Sequence, residues 1–356
     1  MMRYLLPGLQ EESAVVYKQD SNKRGHAIAL FSGGLDSALA ILLMLKQNIK
    51  ITALTFMTHF VRDLSDHSPD GFCHQPIAEK FGFEIKPIHL GQKFVDIVVN
   101  PKYGRGKNMN VCTDCRILML REAKKFMEIV KADFVITGEV MGQRPMSQTK
   151  DKLNLVIKQA SLKGKLLRPL CAKLLPPTEP ELSGIVDREQ LEGISGRSRK
   201  RQLELADTFG LEGYVAPASG CLLTDAAYSA RLRDLLAHTD NVTFDDLNLL
   251  KAGRHFRLDK YTKVIVGRNE QDNETLLSYR QPYHLQLEAI NVGSPITLLV
   301  GNVTDENIKK AAMITARYTS AKKEAQVEVA VTRERGEMKV VVTPAVDEEL
   351  QPLAVR

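Results

Sequence analysis

The stretch His26–Leu45, HAIALFSGGLDSALAILLML, runs from an apolar, strand-type segment through two glycines into an apolar, helix-type segment. Glycines at that junction let the backbone turn tightly and bring successive N–H groups close to a ligand. The start of the helix adds further N–H donors and the positive end of its dipole. Ser32, Gly33, Gly34, Leu35, Asp36 and Ser37 form the loop, and the two serine hydroxyls can donate to the same anion. Phosphate is the natural guest. The lysine of G-x-x-x-x-G-K-[ST] and the spacing of G-x-G-x-x-G are both missing, so neither common nucleotide loop is present. The plainer alternative is a tight strand–helix turn with Ser37 as N-cap.

Outward from this loop, short β-type runs alternate with helical ones. After HAIALF and SALAILLMLKQ come ITALTF, QPIAEKFGF, EIKPIHL, the helical RILMLREAKKFMEIVK and the buried-strand run ADFVITGE. That alternation predicts an α/β fold, an open and mostly parallel sheet with helices on both faces. The Pro-rich Leu174–Gly184 reads as a loop, and GRSRKRQLELADTFG starts basic and becomes an amphipathic helix. Beyond about Asp225 the rhythm changes. GRHFRLDKYTKVIVGRNEQDNETLLSY suggests two strands joined by a turn, then a helix; ENIKKAAMITARYTSAKK is a second helix, followed by two β-rich runs around Arg335-Gly336. The expected organisation is an extension over 1–25, an α/β domain over 26–225 and a smaller C-terminal α+β domain over 240–350.

The chain has 356 residues, 44% hydrophobic and 26% charged, ordinary for a globular protein, with a net charge of +6 that suits a polyanionic partner such as RNA. No apolar run approaches the roughly 20 residues that span a bilayer, and the N-terminus makes a poor signal peptide, so the expectation is a cytosolic protein without a membrane partner. Five cysteines, odd in number, argue against a disulfide scaffold. Cys112-x-x-Cys115 at a helix start has the spacing of a metal or redox pair, and Cys221 in PASGCLLTD would make three. Three thiolates suit a cubane iron–sulfur cluster with one open iron. Cys73 and Cys171 read as structural.

SGGLDS after a buried strand resembles the PP-loop of the adenine-nucleotide α-hydrolases, which cleave ATP between its α- and β-phosphates. The block from Asn110 to Thr149 sharpens this: with Thr137-Gly138-Glu139, Gly142-Gln143, Ser147-Gln148-Thr149 and Arg168-Pro169-Leu170 it resembles the catalytic domain of the ThiI-type tRNA 4-thiouridine synthetases. The resemblance covers about 26–225 and implies ATP and magnesium on Ser32–Ser37, Thr137, Gly138 and Gln143, with Asp36 positioning the reacting centre or its cation. It implies adenylation of a uridine carbonyl in tRNA and replacement of that oxygen by sulfur. The Cys112, Cys115, Cys221 arrangement is similar to the branch that carries a [4Fe-4S] cluster, whose open iron would bind a hydrosulfide; a persulfide relay is the other route, and the sulfur donor is sulfide or a persulfide carrier protein. Three departures stand out. One extra residue sits in GQRPMSQ, the RPL…DK motif is not completed, with Lys173 as a candidate substitute, and only about 25 residues precede the loop where the family has an RNA-binding THUMP region. The C-terminal module resembles a diverged NFACT-R domain. Arg254, Arg257, Arg268 and Arg280 are then candidates for phosphate contacts, and the basic run Arg197, Arg199, Lys200 and Arg201 is a second candidate RNA site.

Two other functions fit the same sequence. A PP-loop enzyme acting on a small molecule, by amidotransfer or sulfur insertion, would not respond to RNA. A non-turning-over ATP- and RNA-binding protein with structural zinc would be colourless and hold one zinc per chain.

Overall fold

Alternation of side chains along the first strand decides how the N-terminal part is built. The computed structural model describes residues 23–60, 75–144, 147–214, 220–333 and 336–356. Cys73, Arg335 and nearly all of the 1–25 extension lie outside the described residues. Strand β1 (Gly25–Leu30) sends Ala27 and Ala29 to one face and Ile28 to the other, and both faces are buried.

The elements run β1, α1 (Leu35–Lys46), β2 (Ile49–Met57), α2 (Gln75–Phe81), β3 (Glu84–His89), α3 (Gly91–Val99), α4 (Cys112–Ile129), β4 (Phe134–Thr137), α5 (Lys150–Ala160), β5 (Leu166–Leu167), α6 (Glu179–Leu182) and α7 (Lys200–Phe209). All pairings in this sheet are parallel, in the order β3-β2-β1-β4-β5. One face packs Ala27, Ala29, Ile51, Ala53, Phe134 and Ile136 beneath α1 and α7. The other packs Ile28, Leu54, Val135 and Leu166 beneath α4 and α5, through Ile117, Leu120, Ala123 and Met127 of α4. The open parallel sheet with helices on both faces is therefore as the sequence predicts. From β1 the chain moves to β2 and β3 on one side, and β4 and β5 add on the other. The crevice between the C-terminal ends of β1 and β4 is the topological switch point, where α/β sheets bind ligands.

Leu174–Gly184, expected as loop, contains the single-turn α6. Thr178 and Glu181 make the reciprocal capping box, and a proline at the start of a helix gives up only an N–H that has no partner there.

The second unit runs α8 (Ala226–His238), α9 (Phe244–Leu249), β6 (Arg254–Asp259), β7 (Thr262–Val266), α10 (Glu270–Ser278), β8 (Leu285–Ala289), β9 (Thr297–Val300), α11 (Asp305–Arg317), β10 (Val327–Arg333), β11 (Gly336–Val342) and α12 (Asp347–Leu350). Its six strands are antiparallel in the order β11-β10-β8-β9-β7-β6. One face packs Val264, Val266, Leu287, Leu299 and Val329 against α11. Ile265 and Leu298 on the other face cluster with Leu249 of α9 and Leu276 of α10.

The division does not follow the chain in one cut. The first unit takes Met1–Gly106 and Val111–Gly220; the second takes Lys107–Asn110 and Cys221–Arg356. Within the second unit the Met109 N–H donates to Leu223 O (3.1 Å) and Asn108 Nδ2 donates to Thr224 O (2.6 Å).

Candidate active site

Immediately after β1, Gly33 takes φ +69°, a left-handed conformation that glycine adopts at no steric cost. Gly34 is the N-cap of α1 and supplies no side-chain cap, so the first turn presents its backbone donors without competition from a capping side chain. Ser37, weighed as an N-cap, sits inside the first turn instead. Its hydroxyl donates to Gly34 O (2.9 Å) and lies 3.2 Å from Ser32 Oγ, while the Ser32 N–H donates back to it (3.3 Å). The loop is thus braced from within by its own serines, with Ser32 exposed.

Asp36 stands in that first turn. Gln143, from the segment after β4, donates its Nε2 to Asp36 Oδ2 (2.8 Å). Thr137 is buried at the end of β4, and Gly138 presses on the loop so closely that a β-carbon there would stand 2.4 Å from Asp36 O. Ser32–Ser37, Thr137, Gly138 and Gln143 are therefore brought together at the switch point. Asp36 Oδ1 and Gln143 Oε1 are buried oxygens without a hydrogen-bond partner. Hard oxygen donors of this kind fit a magnesium ion.

One residue of the basic run also reaches this loop. Met141 and Ser195 form an isolated parallel bridge, and the Gly196 N–H donates to Met141 O (2.9 Å). This carries the start of α7 to the loop, and Arg199 Nη2 lies 3.9 Å from Asp36 Oδ2. Arg199, expected among the RNA-contact residues of the basic run, is thus placed beside the loop by a strand-like bridge that the sequence does not show. Lys173, the candidate for the missing motif lysine, is instead at Glu189, donating to Glu189 O (2.8 Å). Arg201 is held by Glu192 (2.7 Å) and Glu204, whereas Arg197 and Lys200 are exposed.

Behind the loop lies a buried charge network. Glu139 Oε2 accepts from Arg168 Nε (2.7 Å) and Thr137 Oγ1 (3.1 Å), and Oε1 is ion-paired to Arg116 Nε (2.7 Å). Burial alone would raise this carboxyl, but the two guanidiniums outweigh it and hold it down to about 2. Arg168, the arginine of the RPL segment, is 2% exposed and so belongs to the interior.

Cys112 and Cys115 occupy the first turn of α4, both partly buried. Helix N-termini favour thiolates, and residues three apart share a face. Cys115 Sγ lies 3.9 Å from Met119 Sδ. Cys171 is buried, donates to Glu139 O (3.2 Å) and is pushed up to about 11 by burial. That agrees with a structural role. Cys221 is exposed, in the second unit, at the start of a short 3-10 turn. Among the described residues no three His, Cys, Asp or Glu side chains are grouped so as to hold a metal ion. Of the three cysteines expected around a cluster, Cys112 and Cys115 belong to the first unit and Cys221 to the second.

In the second unit the Arg254 guanidinium lies 4.6 Å from the centroid of the Tyr318 ring, Arg268 is paired bidentately with Asp272 and Arg257 with Asp234, and Arg280 donates to Gln286. Among the described residues no helix is long and apolar enough to cross a membrane.

Fold and loop together make the first unit a parallel α/β domain with a glycine loop at its switch point. Residues 22–173 match the family model described as thiamine biosynthesis protein (ThiI), and residues 253–353 match that of the NFACT protein RNA binding domain. The first match falls mainly on the first unit and the second match within the second unit. A probable tRNA sulfurtransferase of Thermococcus kodakarensis is 26% identical over 156 residues, covering 41% of this chain and 37% of that protein. One from Lysinibacillus sphaericus is 30% identical over 146 residues, covering 41% and 34%. The chain thus spans little more than a third of the length of these relatives. A solved 4-thiouridine synthetase–RNA complex with bound ATP aligns at 20% identity over 52% of each chain, with a TM-score of 0.34, too low to carry weight.

Proposed function

We propose that this protein is an ATP-dependent tRNA sulfurtransferase that adenylates a uridine carbonyl and replaces its oxygen with sulfur, giving 4-thiouridine or 2-thiouridine. The observation that carries this reading is the convergence of Ser32–Ser37, Asp36, Gln143 and Arg199 at the switch point of a ThiI-like domain.

ATP places its phosphates against the loop amides and the serine hydroxyls. The uridine oxygen attacks the α-phosphorus and pyrophosphate leaves, stabilised by donors already in place. Arg199, when its contact with Asp36 yields to the nucleotide, supplies a cation for that departing charge. Magnesium, held by Asp36 and Gln143 through their partnerless oxygens, would neutralise phosphate charge. For sulfur, the described residues support the pair Cys112 and Cys115 on one helix turn. One carries a persulfide whose terminal sulfur displaces AMP from the activated base. The other then attacks the inner sulfur, forming a disulfide that an external thiol reductant must reopen. The persulfide is loaded by a persulfide carrier, whose outer sulfur passes to the cysteine as the carrier's own thiol leaves. The second unit, through its exposed basic residues and Arg254, holds the tRNA.

The test is to incubate the protein with ATP, magnesium, tRNA and a sulfur donor, and to measure AMP, pyrophosphate and thiolated nucleoside. One AMP per thiolated base, lost in Asp36→Ala, is expected. ADP and inorganic phosphate as products, or AMP formation indifferent to RNA, would overturn the reading; the latter favours a small-molecule substrate.

A further inference from the structure

The cysteine turn of α4 lies beyond the apolar packing that holds the rest of that helix. On the sheet face, α4 contributes Ile117, Leu120, Ala123 and Met127. Its first turn, Cys112 to Arg116, sits N-terminal to all of these and is anchored by polar contacts. Asp114 accepts from the Lys102 and Tyr103 N–H groups (both 3.1 Å), which tie it to the preceding segment. Arg116 points the other way. It pairs with Glu139 Oε1 and donates its Nη1 to Ser147 O (3.0 Å), and so binds the helix start to both arms of the segment after β4.

Glu139 is the next residue after Gly138, whose Cα is packed on the Asp36 backbone. The same carboxylate is fixed from behind by Arg168 (2.7 Å), which is completely buried. A continuous path therefore runs from Asp36 through Gly138 and Glu139 to Arg116 and Cys115. The two guanidiniums outnumber the one buried carboxylate, which locks Glu139 in its ionised form but leaves Arg116, at 16% side-chain exposure, as the link that can be removed without stranding an unpaired buried charge.

We propose that Arg116 is a positioning residue that holds the cysteine turn in register with the ATP loop, so that it governs sulfur transfer and not ATP cleavage. The inference rests on the sulfurtransferase reading. Asp36, Gln143 and Arg199 make none of their contacts through Arg116, whereas the cysteines have it as their nearest tie to that site. A misplacement of about 1 Å of a reacting group costs roughly 100-fold in rate.

The experiment is Arg116→Gln, with Arg116→Lys as the charge-conserving partner. In the wild type about one AMP forms per thiolated base. In Arg116→Gln that ratio is expected to rise by about tenfold or more, with AMP formation within about threefold of wild type. Arg116→Lys, which keeps the charge opposite Glu139, should restore most of the coupling; if the glutamine variant does not fold, the lysine variant carries the test with a smaller rise. A ratio that stays near one in both, whatever the absolute rates, overturns the proposal. A separate readout is the alkylation rate of each cysteine by mass spectrometry. Cys112 and Cys115 should react several-fold faster or slower in Arg116→Gln, while Cys221 keeps its rate. Equal rates at all three would overturn the brace. If the wild type makes no thiolated base, the sulfurtransferase reading fails, and the alkylation arm still decides whether Arg116 places the cysteine turn.

Discussion

Gly138→Ala tests whether β4 and the phosphate loop touch as closely as the site requires. Gly138 has no positive φ, so alanine meets no backbone strain of its own. The obstacle is space: its β-carbon would lie 2.4 Å from Asp36 O, 2.5 Å from Asp36 C and 2.6 Å from Ser37 N. Ordinary contact begins at 3.4 Å, and all three neighbours are backbone atoms that no rotamer change can move aside. The turn Asp36–Ser37 must therefore retreat by roughly 1 Å. Overpacking of this kind costs about 1–3 kcal/mol, a fall of roughly 3–10 °C in Tm for a unit of this size. Catalysis should suffer more, because a displacement of about 1 Å at the reacting centre is worth roughly 100-fold. The assay is RNA-dependent AMP formation beside a thermal melt. Gly193→Ala is the control: its nearest neighbour would be 3.4 Å away, again without positive φ, and both readouts should stay near wild type. A Gly138→Ala protein that cleaves ATP at the wild-type rate would refute the reasoning and remove Asp36 from the reacting centre.

Arg199→Ala should lower AMP formation by about 10- to 100-fold while leaving tRNA affinity nearly unchanged in a filter-binding assay; the opposite pattern would return Arg199 to the RNA surface. Protein purified anaerobically should contain little iron but carry sulfane sulfur that is lost in the double variant Cys112→Ala, Cys115→Ala. About four irons per chain, lost in Cys221→Ala, would instead establish the cluster route.

The first unit was legible because its signals are local. A buried sheet needs both faces of β1 apolar, a phosphate loop needs its glycines between strand and helix, and each requirement is written in consecutive residues. In the second unit β6, β7, β10 and β11 announced themselves in the same way, whereas β8 (Leu285–Ala289) and β9 (Thr297–Val300) were not read as strands. What could not be read were contacts made across long stretches of chain. Arg199 and Asp36 are 163 positions apart and meet only because Gly196 bonds to Met141. Likewise, nothing in the sequence shows that the arginine of RPL, Arg168, is buried against Glu139. The small helix at Glu179–Leu182 was missed because prolines mark loops in general, whereas the capping pair Thr178 and Glu181 decides this one.

The short segment Lys107–Asn110 has a consequence for anyone who would take the protein apart. It belongs to the second unit although more than a hundred residues of the first unit follow it before the chain returns at Cys221. The polypeptide therefore passes between the units three times, and no single scission separates them. A fragment beginning at Cys221 would leave the carbonyls of Leu223 and Thr224 without the donors from Met109 and Asn108. A fragment ending at Gly220 would carry those donors with nothing to receive them. The two halves are modular as folds but stitched as a chain, and dissecting them calls for grafting the 107–110 segment rather than cutting at a linker.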